Sequence, residues 1–153
     1  STGAAFDSAE YFNDTEPTSS VFTLGINAQG NTDTKTYIAY VFAPVEGFSA
    51  FGAYEGNGNA NGAMINIGFT PSFIMLKSAD STSNWFIFDN KRDGFNVDNN
   101  ALLANTNGVE TTTDMVDLVS NGFKLRIATD PNVAETYVYA AFAHSPFKTA
   151  NAR

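Results

Sequence analysis

Cysteine is absent from the 153 residues, so neither a disulfide nor a thiolate metal site can form. Histidine occurs once, at His144. A zinc site therefore finds no second imidazole to complete it, and a Ser–His–acid machine would depend on this one ring, yet no Ser stands in a nucleophile-elbow motif. Directly after an apolar run and before Ser145-Pro146, His144 reads as a residue at a strand end. Bases are scarce: eight Lys and Arg against sixteen Asp and Glu give a net charge of −8. Such a surface repels nucleic-acid phosphates and anionic lipid, so neither nucleic acid nor membrane is an expected partner. No apolar run approaches the ~20 residues of a helical membrane span, and no stretch shows a convincing amphipathic helical period.

What the chain has is aromatic residues and a repeat. Fourteen Phe, six Tyr and one Trp supply a core, while Thr, Asn and Gly crowd the segments between apolar runs. Many short runs separated by such turns are an all-β composition. The run Thr36-Tyr37-Ile38-Ala39-Tyr40-Val41-Phe42-Ala43 returns as Thr136-Tyr137-Val138-Tyr139-Ala140-Ala141-Phe142-Ala143. Phe22-Thr23-Leu24-Gly25-Ile26 returns as Phe123-Lys124-Leu125-Arg126-Ile127, and Asn31, Phe48 return as Asn132, Phe147. The offset stays near one hundred residues, a domain-sized period. On this reading residues 1–48 are the closing strands of a preceding unit, docked by strand addition, and residues 49–153 are a complete unit with a C-terminal extension. Both copies of the apolar run carry the β-branched and aromatic composition of a strand buried on both faces or crossing a sandwich centre. The first, with Tyr37, Ile38, Tyr40 and Phe42, is the expected assembly strand.

Further strands are expected over residues 21–26, 64–69, 73–77, 85–89, 115–119 and 123–127, with a helical turn or short strand at 101–104. The runs at 73–77 and 85–89 form a natural antiparallel pair across a polar loop. Roughly eight to ten strands without a helix make an all-β antiparallel sandwich of jelly-roll type the economical architecture.

Chemistry-bearing constellations are few. Gly56-Asn57-Gly58-Asn59-Ala60-Asn61-Gly62 suits a tight turn and lacks the Lys-Ser/Thr and strand-to-helix setting of a phosphate loop. Asp114 with Asp117, and Asp89 with Asp93 around Lys91-Arg92, are the carboxylate pairs to weigh for glycoside hydrolysis. Their basic neighbours make them read as ion-paired or solvated, and no enzyme is expected. Asp93-Gly94-Phe95-Asn96-Val97-Asp98-Asn99-Asn100 is rich in oxygen donors without matching an EF-hand, so calcium is the one ion it would suit; no cofactor is otherwise expected. In the same loop Asn96, Asp98 and Asn99 are candidates to hydrogen-bond a sugar hydroxyl. Trp85 heads an apolar run and reads as a core or core-edge residue before a sugar-stacking platform.

Several motifs together carry a resemblance. They are Phe12-Asn13-Asp14-Thr15-Glu16-Pro17, Gly52-Ala53-Tyr54-Glu55-Gly56-Asn57-Gly58, Gly68-Phe69-Thr70-Pro71-Ser72-Phe73, Ser120-Asn121-Gly122-Phe123-Lys124-Leu125-Arg126 and the ending Pro146-Phe147-Lys148. As a set they resemble a family of repeated β-domains in tailed-bacteriophage virion proteins, notably those of marine and cyanobacterial phages. The resemblance implies a lectin-like (concanavalin-type) sandwich in a tail fibre, spike or capsid decoration at the virion surface. Its implied partners are further copies of itself, other virion proteins and a host-surface glycan. It transfers no catalytic residue. A carbohydrate-binding module reading a host glycan is the alternative.

Overall fold

The computed structural model describes residues 2–92, 96 and 100–145. Contacts gather the chain into two compact units, residues 1–5 with 43–153, and Phe6–Phe42.

The larger unit is all-β. Its strands are β1 (Ser49–Glu55), β2 (Met64–Asn66), β3 (Pro71–Ser78), β4 (Phe86–Asp89), β5 (Leu102–Leu103), β6 (Val116–Val119), β7 (Gly122–Leu125) and β8 (Thr136–Ala143). They form a five-stranded sheet in the order β1-β8-β3-β4-β5 and a three-stranded sheet in the order β2-β7-β6. Every pairing is antiparallel. The expected 73–77/85–89 hairpin is β3–β4, with Ile74 opposite Phe88 and Leu76 opposite Phe86.

Period-2 patterning places the core. In β3 Ile74 and Leu76 point inward and are fully buried, as are Phe88 in β4, Val116 in β6, and Phe123 and Leu125 in β7. Each large side chain so buried contributes about 1.5–3 kcal/mol from apolar transfer. Aromatic packing adds geometry: Tyr54 of β1 stacks on Tyr137 of β8 at 5.2 Å, and Phe123 meets the edge of each of Tyr54 and Tyr139. Pro71 opens β3, where it withholds no ladder donor, and the register with β8 shifts between Pro71 and Phe73.

The smaller unit is held by local bonds. A one-turn helix, α1 (Ala9–Phe12), starts at Ser8, whose Oγ accepts from Glu10 N, and stops at Asn13 in the left-handed region. Gly25 N and Asn27 N then donate to the carbonyls of Tyr11 and Glu10. Gly25 is the only buried residue in the unit.

Two expectations are corrected here. Residues 21–26 and 37–43 take no strand conformation and lie mostly exposed. A strand is stable only when its amides find a neighbouring ladder, and none of the ladders in the described residues includes these segments.

Candidate interaction surface

The expected assembly strand is the most exposed apolar stretch of the described residues. Ile38 is 80% exposed, Tyr40 82%, Val41 73%, Phe42 64% and Tyr37 44%. Phe6, Phe12, Val21 and Ile26, all in the same unit, are also exposed. Tyr37 is anchored only at its tip, where its hydroxyl donates to Ala28 O and accepts from Thr32 N.

Both copies of the repeat fold their Asn back onto the preceding segment, but they differ in the span of that bond, six positions against five, and in burial. Asn31 Nδ2 reaches back 2.7 Å to Gly25 O, and its counterpart Asn132 reaches back 2.6 Å to Ile127 O. In the second copy Phe123 and Tyr137 are fully buried; in the first, Phe22 is 41% exposed and Tyr37 44%. Residues 21–42 thus carry the Asn tie of the repeat, and among the described residues no strand covers them. A shallow depression of ≈ 610 Å³ in the same unit is lined by Phe6, Tyr11 and Phe12 together with Asp7, Asp14 and Glu16.

The polar groups of the larger unit are committed to holding loops. Asn132 is fully buried, and its Nδ2 also donates to Asn57 Oδ1 and Asn59 O, while its Oδ1 accepts from Asn57 N. The Gly/Asn loop is wrapped around this one amide. A Cβ at Gly56 would collide with Val133 O, and one at Gly62 would lie 2.6 Å from Leu125 O, so close backbone approach demands these glycines. Tyr54 Oη donates to Pro131 O and Tyr137 Oη to Asp130 Oδ1, while Ser83 Oγ donates to Asp130 Oδ2. Burial, then the charges of Tyr137 and Asp130, push the Tyr54 phenol far up; burial followed by Asp130 does the same for Tyr137. Ser78 and Ser81 both donate to Glu135 Oε2, and Lys77 Nζ donates to the carbonyls of Ser78 and Ser81. Ser78 is buried, and with both hydroxyls on Glu135 this trio locks a turn.

A family model described as a domain of unknown function, DUF7483, matches residues 1–146. The chain belongs to that family. No curated protein and no solved structure matches it. The match runs through Phe6–Phe42 as well as the sandwich, so the exposed segment is part of the DUF7483 domain and not an appendage to it.

Within the DUF7483 domain the sequence candidates separate. Asn96 is exposed with φ 30, whereas Asp98 and Asn99, and most of the loop considered for calcium, lie outside the described residues. Among the described residues no three of His, Asp or Glu gather as a metal site, and no helix is long and apolar enough to cross a membrane. His144 follows β8, with Nδ1 2.8 Å from Asn90 Nδ2 and its own amide on Thr70 O. Trp85 is half-buried just before β4, with its amide on Asn105 Oδ1. Asp89 is ion-paired: Arg92 Nε lies 2.5 Å from it, and Arg92 also reaches Glu110 at 2.8 Å. Asp117 pairs with Arg126 at 3.4 Å, and Asp114 is exposed. Sequence reasoning missed Asn132 as an organiser, although the repeat had already marked the position.

Proposed function

We propose that this DUF7483 domain is a non-enzymatic structural module of a phage particle. It would be a tail-fibre, spike or capsid-decoration unit that assembles with copies of itself and with other virion proteins at the particle surface. The observation that carries the reading is the exposed run 37–42, the counterpart of β8, which joins no ladder among the described residues. An exposed apolar strand sequence is an aggregation hazard unless a partner covers it. The phage assignment rests on the motif resemblance, and the jelly-roll, lectin-like connection of the two sheets is part of the same proposal. The reading calls for no cofactor. Light scattering on the intact chain beside a chain lacking residues 1–43 tests it. A defined oligomer lost on truncation is expected, and stable monomers of both would turn the reading to its alternative.

That alternative is a module binding a host glycan, and one observation favours it. The depression of the smaller unit combines aromatic faces with carboxylates, the pairing that stacks a sugar ring and accepts from its hydroxyls. A glycan array decides between the two: binding lost in Phe12→Ala, with the oligomer intact, establishes the lectin role.

A further inference from the structure

The partner of residues 36–43 can be named from the sandwich itself. Its twin, β8, lies between β1 and β3, with Val138 opposite Ala53 on one side and opposite Lys77 on the other. In any copy that central slot is already filled by β8. A β8-type sequence can still meet a β1 at one place, because among the described residues β1 terminates its sheet with β8 as its strand neighbour, its outer edge being bridged at Ser49 to Val45.

The β1 edge suits an added strand. It runs seven residues, Ser-Ala-Phe-Gly-Ala-Tyr-Glu, with Gly52 and Ala53 exposed and without the Lys or Pro that blunts edges. The eight residues 36–43 are long enough to span it and carry no charge, while β1 carries only Glu55. Copies with a net charge of −8 repel one another, but the two segments meet where charge is nearly absent. Every pairing within the sandwich is antiparallel, so the addition has a local precedent.

Building on the structural reading above, we infer that residues 36–43 of one copy add as a sixth strand to the β1 edge of a second copy. The contact is heterologous, strand to edge, so it propagates head to tail into rings or filaments unless two copies exchange strands reciprocally. Salt strengthens it by screening repulsion between the acidic copies.

The absence of cysteine makes the test clean. Full-length Ile38→Cys or Tyr40→Cys is mixed with full-length Ala53→Cys and oxidised, with Leu102→Cys at the opposite edge of the sheet as comparator. The expected product is a 38–53 or 40–53 linked heterodimer, in excess over homodimers and over links to position 102. Ile38→Lys and Tyr40→Lys should weaken self-association about tenfold or more, by charging an apolar contact. An oligomer untouched by both Lys variants overturns the inference and the structural reading together. An oligomer broken by them, but linked at position 102 or through 38–38 pairs, overturns the β1 assignment alone. A chain that stays monomeric at high concentration and high salt overturns the choice of a second copy, and so does a link formed only within one chain.

Discussion

At the residue scale the molecule concentrates its polar burial in Asn132. The buried side-chain amide spends its donors on Ile127 O, Asn59 O and Asn57 Oδ1, so truncation removes three ties at once and leaves a cavity where the amide sat. Asn132→Ala is expected to cost about 3 kcal/mol, read as a lowered urea midpoint. Asn31→Ala, at the equivalent but exposed position, should change stability by less than about 1 kcal/mol. Equal costs would mean that the two copies are buried alike. The Tyr54 and Tyr137 phenols supply a second expectation. Their folded pKa values are raised above the unfolded value near 10, so the native state holds its protons where the unfolded chain releases them. Their contribution is intact below about pH 10 and declines above it, by about 1.4 kcal/mol per pH unit per group. Two of the six tyrosines should therefore ionise only as the protein unfolds in alkali. Tyrosinate absorbance tracking all six before unfolding would contradict this.

At the element scale most of the sandwich was legible. The short apolar runs Phe73-Ile74-Met75-Leu76 and Trp85-Phe86-Ile87-Phe88, bounded by turn residues, named the strands and their pairing, whereas runs apolar throughout carry no period-2 signal and the inward faces emerge only from the two-sheet packing. The failure at 37–43 is equally informative. Two related sequences, identical at four of eight positions, have different fates, since β8 receives β1 and β3 as neighbours from its own chain and the first copy joins no described ladder. Pattern reports what a segment can pair with; only topology reports whether the partner is there. Nor could the sequence pair Arg92 with Glu110, eighteen positions away, beside the legible Asp89. Burial alone would raise the Asp89 carboxyl, but hydrogen bonds from Arg92 and Lys91 and the guanidinium charge hold it below the usual carboxylate range. Its stabilising contribution is thus present above about pH 4 and lost as pH falls through the lowered folded value. Arg92→Ala should remove that acid-sensitive component, so the denaturation midpoint of the variant should fall less steeply between neutral pH and pH ~3 than that of the parent. Parallel profiles would show that the pair contributes nothing.

At the scale of the whole molecule, stability is unevenly spread. The sandwich owns the apolar core, whereas Phe6–Phe42 buries Gly25 alone and relies on local hydrogen bonds. Segments with so little buried surface open at low free-energy cost. Lys35 is the only Lys or Arg before Lys77, it is exposed, and it sits directly ahead of the added strand; Lys77 is buried. Trypsin acting on dilute protein should therefore cut after Lys35 before any bond of the sandwich strands. If residues 36–43 enter a neighbour's sheet, the same bond must become resistant as concentration or salt drives assembly, because a chain whose backbone is paired and held in a sheet cannot enter the protease cleft. Ile38→Lys should keep position 35 cleavable at every concentration. Resistance at Lys35 in dilute monomer would show that the segment is already covered within its own chain, and the exposed strand would then need no partner.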